Sequence, residues 1–225
     1  MSDDLFDFWQ KIEPRQNIHP ADESILKRVD HSFQLDTLPC PILGPLKTSL
    51  VVLLFLSPGF EENDRVEAKN EAGQSRYAEM REGNQLLPAP EDSEGDWKWW
   101  HRRTALFGDW RELRDKIAIL NIGAYKSKTF EDIPLLAALP SSRVSLNWAQ
   151  TVLFPQAEEG SRVVVCLRSA RFWGLSAGKK YGKGLFAPKV NRSGHMNKNC
   201  SLREDIISTV RAHLDRPGNP SSYCP

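Results

Sequence analysis

Seven apolar residues, Leu50 to Leu56 (LVVLLFL), run without a polar break near the start of the chain. Ser57, Pro58, Gly59 and Phe60 close the run, and the text then turns acidic at Glu61, Glu62 and Asp64. A short apolar run ended by turn residues is the pattern of a strand covered on both faces. Pro58 cannot donate to a sheet ladder, and Gly59 accepts backbone angles that other residues resist. The strand is therefore expected to stop near Leu56 and open into a tight loop. Ligands of open α/β sheets bind beyond the carboxyl ends of the strands, which makes Ser57 to Asp64 the first place to look for chemistry. A plain strand followed by a structural turn fits the same residues.

Two further runs repeat the pattern: IAILNI at 117–122 and RVVVCL at 162–167, with a shorter LFAP at 185–188. Helical spacing lies between them. Asp22 to Val29 turns Ile25, Leu26 and Val29 inward, Asp96 is a reasonable cap for one or two helices across 97–115, and Val144, Trp148 and Val152 share a face. Ser201 and Glu204 form a capping-box pattern ahead of Ile206, Ile207, Val210 and Leu214. Residues 65–83 read as a solvent-facing helix or a mobile flap. Buried strands alternating with helices predict a parallel three-layer α/β/α domain over residues 48–215. A helical N-terminal extension (1–47) packs on it, and a proline-containing tail (216–225) is loosely held.

Composition excludes more than it selects. A formal charge of +1 gives no global push toward nucleic acid or a membrane, so any basic surface must be local. No apolar run approaches the length of a membrane span, and the acidic N-terminus lacks the order of a secretory signal. Cys40, Cys166, Cys200 and Cys224 are far apart with no CxxC pair, which argues against zinc and a disulfide framework. The expectation is a cytoplasmic protein without metal or cofactor. Neither GxGxxG nor a phosphate-loop motif occurs. Gly174 to Gly178 spells GxSxG, but it is displaced from the preceding strand and no clear helix follows. It reads as a chance match, with Asp205 and His213 the available downstream partners. Trp97, Lys98, Trp99, Trp100, His101, Arg102 and Arg103 interleave aromatic and basic residues, a composition suited to bases and phosphates and equally to docking a helix on the sheet.

The ordered strand ends carry a resemblance. FLSPGF (55–60), AILNIGAY (118–125), VVVCLRSARFWG (163–174) and LFAPKVNRSGHMN (185–197) resemble, in order and spacing over about residues 48–215, the motifs of the uracil-DNA glycosylase superfamily. That family has a Pro-containing loop of the GQDP or GxNPG kind, a strand ending in Asn, a VVxxLWG strand and a His-containing loop. The resemblance implies a central four-stranded parallel sheet, a site at the strand ends, and binding of a base flipped out of DNA. It implies that Asn121 reads the base edge, Phe60 stacks on the base beside Gly59 and Tyr125, and His195 sits near the developing oxyanion. Ser57 stands where the family carries its water-positioning Asp or Asn, so Asp64, or Glu62, is the candidate to replace it. Lys126, Lys128, Arg168 and Arg171 are candidate phosphate contacts.

Each residue also has a plain reading: Asn121 as a strand-end cap, His195 as a surface-loop histidine, and the lysines as solvated. The expected protein is a monomer that hydrolyses the N-glycosidic bond of uracil or another modified base. The alternatives are a non-catalytic nucleic-acid binder on the same fold and a small-molecule or nucleotide-binding α/β protein. The last rests on the Lys-rich loop around Gly178, Gly182 and Gly184.

Overall fold

The structure, a computed structural model, describes residues 5–191, 193–197 and 199–215; the expected loose tail lies outside them. The strands are β1 (Ile42–Leu43), β2 (Val51–Phe55), β3 (Ile117–Asn121), β4 (Val163–Cys166), β5 (Lys179–Tyr181) and β6 (Leu185–Ala187). They form one mixed sheet in the order β1-β3-β2-β4-β6-β5. The expectation of four parallel strands needs correction. β3, β2, β4 and β6 do pair parallel, but β1 and β5 add an antiparallel strand at each edge. β1 lies within the 1–47 extension, in its proline-rich stretch ahead of the first long strand. β5 comes from the Lys-rich loop, which turns back as a hairpin on β6. Its exposed Lys179 and Lys180 blunt a free sheet edge by charge.

β2 sits between β3 and β4 in one register, with Val51 opposite both Ile117 and Val163 and Leu53 opposite both Ile119 and Val165. All five of its residues are buried. Strand alternation sends Val52 and Leu54 to one face and Val51, Leu53 and Phe55 to the other. Each set joins a separate apolar cluster. Burial of each such side chain contributes about 1.5–3 kcal/mol.

Helices cover both faces. They are α1 (Leu5–Gln10), α2 (Pro20–Leu26), α3 (Asn63–Glu67), α4 (Glu71–Arg81), α5 (Glu94–Thr104), α6 (Trp110–Leu113), α7 (Ile133–Ala138), α8 (Pro140–Trp148), α9 (Phe154–Glu159) and α10 (Arg203–Leu214). The first cluster takes Trp9 of α1, Tyr77 and Met80 of α4, and Trp148 of α8. The second takes Trp100 of α5, Leu113 of α6, and Ile206 and Val210 of α10. Residues 65–83 thus form the end of an exposed helix, α3, and a second helix, α4, whose Tyr77 and Met80 are buried, rather than a flap.

Local departures from the sequence pattern have local causes. Val152 is exposed because a π-helical turn, Ala149–Leu153, inserts one residue between α8 and α9. The inserted residue rotates the inward position to Leu153. The Phe154 amide bonds back to the Ala149 carbonyl, five residues earlier, which closes the wide turn. Val29 is likewise exposed, since α2 stops at Leu26. α5 starts one turn before the expected cap, with Ser93 Oγ accepting from the Asp96 amide. The Ser201–Glu204 capping box does not form, because α10 begins at Arg203 with Leu202 as its cap.

The N-terminal segment is fastened by a buried polar chain. Asp22 is fully buried and accepts from the Tyr125 hydroxyl at 2.7 Å and from the Ser141 amide at 3.1 Å. His19 caps α2: its Nδ1 accepts from the Ala21 amide while its Nε2 donates to the Phe8 carbonyl. Its ring stacks on Phe8 at 3.8 Å. Both bonds fix the neutral form, since a proton on Nδ1 would face another N–H. Burial, the largest cause, together with Lys11, outweighs the Phe8 carbonyl and Asp22, and holds the imidazole below its ordinary pKa of 6.5. The unfolded chain therefore binds this proton more readily than the folded one. The stability His19 contributes is complete above pH 6.5 and is lost as pH falls below it. Thermal unfolding followed between about pH 7.5 and 5.5 should show a falling midpoint. His19→Asn keeps an acceptor for Ala21, so it should start lower and lose less over the same range.

Candidate functional site

The carboxyl ends of the four parallel strands open into one cleft of about 550 Å³. Ser57, Pro58 and Gly59 come from the end of β2. Ser127, Lys128, Thr129 and Phe130 come from the segment after β3, Arg168 follows β4, and Asn191 and Ser193 lie beyond β6. The segments after β2 and β3 are tied by a bridge between Gly59 and Ser127. Among the described residues no Asp or Glu lines the cleft, and two cations do. Lys128 pairs at 3.3 Å with Glu62, both side chains being about two-thirds exposed. Such an exposed pair is screened by water and yields readily to another anion. Arg168 has no ion-pair or hydrogen-bond partner for its guanidinium among the described residues.

The loop carrying Asn191, Ser193 and His195 is pressed onto the sheet from above. Gly194 has φ +82°, and a Cβ there would come within 2.9 Å of the Phe55 ring and 3.2 Å of the Leu167 carbonyl, so glycine alone fits. Asn191 Oδ1 accepts from the backbone amides of Ser193 and His195, each at 3.0 Å. Arg103 of α5 donates to the Ser193 carbonyl at 3.0 Å while its guanidinium lies 3.9 Å from the Trp99 ring. Trp99 in turn packs on Phe55. The basic-aromatic cluster of α5 therefore holds the histidine loop rather than lining the cleft. Burial first, then Arg168 and Arg102, bring the Arg103 guanidinium down to about 10. His195 bonds Ser193 Oγ through Nδ1 at 3.0 Å. Its pKa is lowered by burial and by Arg103 and Arg102, so the imidazole is neutral near pH 7. At the end of β4, Ser169 adopts a left-handed φ of 58°, a conformation seldom taken by residues other than glycine.

The sequence-derived residues divide. Ser57, Gly59, Lys128 and Arg168 meet in the cleft. His195 stands behind it through Ser193. Asn121 is buried at the end of β3 and spends its side-chain N–H on the Cys40 carbonyl at 2.9 Å, so the strand-end cap is the reading the geometry takes. Tyr125 is buried, bonded to Asp22 and the His19 amide, and belongs to the N-terminal fastening. Phe60 carries Arg65 at 4.7 Å and Lys128 at 5.3 Å over its ring, so its stacking surface is in use. Arg171 is exposed on a 3₁₀ turn (Ala170–Trp173), covering Phe172 rather than the cleft.

Lys126 is not a solvated phosphate contact. It is buried and pairs at 2.5 Å with Asp64. Burial works against its charge, but Asp96, Cys40 and Asp64 outweigh burial and raise its pKa. The other Asp64 oxygen accepts from the Glu61 amide at 2.7 Å, closing the turn into α3. Both Asp64 oxygens are thus engaged away from the cleft.

Phe130, Asn191 and Ser193 were not among the sequence candidates. Phe130 had a signal, as the aromatic that follows the basic KSKT after β3. Asn191 and Ser193 had none beyond proximity to His195. The remaining motifs resolve as structure. Ser176 of GxSxG gives its amide to the Tyr181 hydroxyl, Asp205 pairs with Lys180, and His213 bonds the carbonyls of Thr209 and Gly160. Cys166 is buried in the core, its thiol pushed up to about 12 by burial. Among the described residues no group of three or more His, Cys, Asp or Glu side chains is placed to hold a metal ion.

Removing one partner of a buried ion pair strands the other charge. Asp64→Asn should destabilise the fold by about 3 kcal/mol in urea unfolding. The double variant Asp64→Leu/Lys126→Met should cost less than the sum of the two single changes.

No protein-family model, curated protein or solved structure matches this chain.

Proposed function

We propose that this protein binds nucleic acid in the strand-end cleft, as a divergent member of the uracil-DNA glycosylase type. The observation that carries the reading is the cleft itself: Lys128 and Arg168 face it from two different strand ends and, among the described residues, no carboxylate lines it. Backbone phosphates are the anions such a site suits, with Lys128 as a point charge and Arg168 as a planar donor fork. Ser57, Ser127, Thr129 and Ser193 add neutral hydroxyls that hydrogen-bond phosphate or sugar oxygens. Phe130 offers an aromatic surface for a base, the role first assigned to Phe60. The order of the parallel strands, with the first long strand between the second and third, supports a three-layer glycosylase-like domain with two edge strands added. DNA as the nucleic acid, a monomeric state and a cytoplasmic setting are parts of this same proposal.

Base hydrolysis is the second reading, and the position of Asp64 just past the first strand end favours it. Cleavage of an N-glycosidic bond builds positive charge on the sugar and negative charge on the departing base. A cationic cleft assists the second and opposes the first. A general base for water is also required. Asp64 would have to leave Lys126 to serve, and Ser57 is not basic near neutral pH. In the present geometry the binding function is better supported than the hydrolytic one.

Two assays separate the readings. Binding of a labelled single-stranded oligonucleotide should weaken with salt, and Arg168→Gln should lower the affinity by roughly tenfold, as loss of one charge-assisted contact requires. An unchanged affinity in Arg168→Gln would remove the cleft from the binding path. Oligonucleotides carrying uracil, thymine mismatches, hypoxanthine, xanthine or hydroxymethylated pyrimidines should bind without forming abasic sites. Alkali-labile breaks on any of them, abolished by Asp64→Asn in a variant that remains folded, would establish the hydrolytic reading instead.

A further inference from the structure

A second hollow, about 340 Å³, adjoins the cleft and shares Arg168 with it. It lies where the chain leaves β4 and β6. Arg168 and Ser169 form one side, Pro188, Lys189 and Val190 the other, and Asn197 comes from the histidine loop. Its volume falls within the range of about 300–1,000 Å³ typical of ligand sites. Like the first lobe, it is lined by no carboxylate among the described residues. Lys189 is exposed, has no ion-pair partner among the described residues, and runs across the face of Gly178. Lys128, Arg168 and Lys189 therefore follow one another along the carboxyl edge of the sheet. Arg168 stands at the divide between the lobes.

From this arrangement, and resting on the binding function proposed above, we infer that the ligand is a single-stranded polynucleotide running through both lobes. One backbone phosphate lies between Lys128 and Arg168 in the first lobe, and the next along the strand lies between Arg168 and Lys189 in the second. A mononucleotide fills only the first lobe. A single strand fits better than a duplex because the two hollows hold about 550 and 340 Å³, room for one nucleotide each rather than for the width of a double helix. Arg168 contacts both phosphates because its guanidinium presents donors along two edges.

The test is fluorescence anisotropy with labelled thymidine monophosphate and a labelled thymidine 12-mer, each across a salt series, on wild type, Lys189→Gln and Lys128→Gln. Lys189 is an exposed surface residue, so its replacement should leave the fold intact. Lys189→Gln should weaken binding of the 12-mer by roughly tenfold and reduce its log–log salt slope by about 0.7, the value of one single-strand phosphate contact. It should leave the monophosphate unaffected. Lys128→Gln should weaken both probes. Normal 12-mer affinity and slope in Lys189→Gln, with both probes weakened in Lys128→Gln, would overturn the second lobe and leave the first-lobe reading standing. Tighter binding of a duplex 12-mer than of the single strand would overturn the single-strand assignment. Failure of wild type to bind either probe would overturn the binding function itself.

Discussion

β2 is the constraint on which the molecule depends. It is paired on both sides to long parallel neighbours, and all of its residues are buried. A parallel strand in that position cannot be joined to its neighbours by tight hairpins, so each connection must travel back over a face of the sheet. Those connections are the helices that cover β2, and they return every parallel strand in the same direction. The carboxyl ends of β2, β3, β4 and β6 consequently meet along one edge, where four unrelated pieces of sequence build the cleft. The site is a product of strand direction, and the apolar run that opens the domain commits the chain to it.

Charge placement divides this edge into two regions. Under α3 and beside the start of α5, acids and a buried lysine neutralise one another: Asp64 with Lys126, with Asp96 close by. Burial, with Asp96, raises the carboxyl pKa of nearby Glu67. This region holds loops together. On the open side, Lys128 pairs only with the exposed Glu62, Arg168 has no acidic partner among the described residues, and Arg103 brings positive charge behind His195. Burial lowers the Arg103 pKa most, and the neighbouring Arg168 and Arg102 lower it further by charge repulsion. An anionic ligand relieves that repulsion, which is the physical case for phosphate over a neutral small molecule.

The fold was legible in the sequence to the extent that burial wrote it there. The runs at 50–56, 117–122 and 162–167 each contain a strand, because a core covered on both faces demands unbroken apolar residues. β1 and β5 were not legible, being two or three residues long and set by pairing rather than pattern. The exposed Val152 was hidden by a π turn that periodicity does not signal. Ser57, Gly59, Lys128 and Arg168 line the cleft, and their position past a strand end is a property of the sequence. The side chains of Asn121, Tyr125, Lys126 and Phe60 are engaged by Cys40, Asp22, Asp64 and Arg65 in turn, the first three of these partners being distant in sequence. A side chain's partner is a tertiary fact, and the residue type alone does not carry it.

The central claim is that the paired cations at the strand ends hold a nucleic-acid phosphate. A crystal structure with a short single-stranded oligonucleotide containing bromouracil, located by its anomalous signal, tests that claim most directly. The account places a phosphate between Lys128 and Arg168 with a base against Phe130. A strand bound elsewhere, such as along Lys179 and Lys180 on the outer hairpin, with the cleft empty, would contradict it.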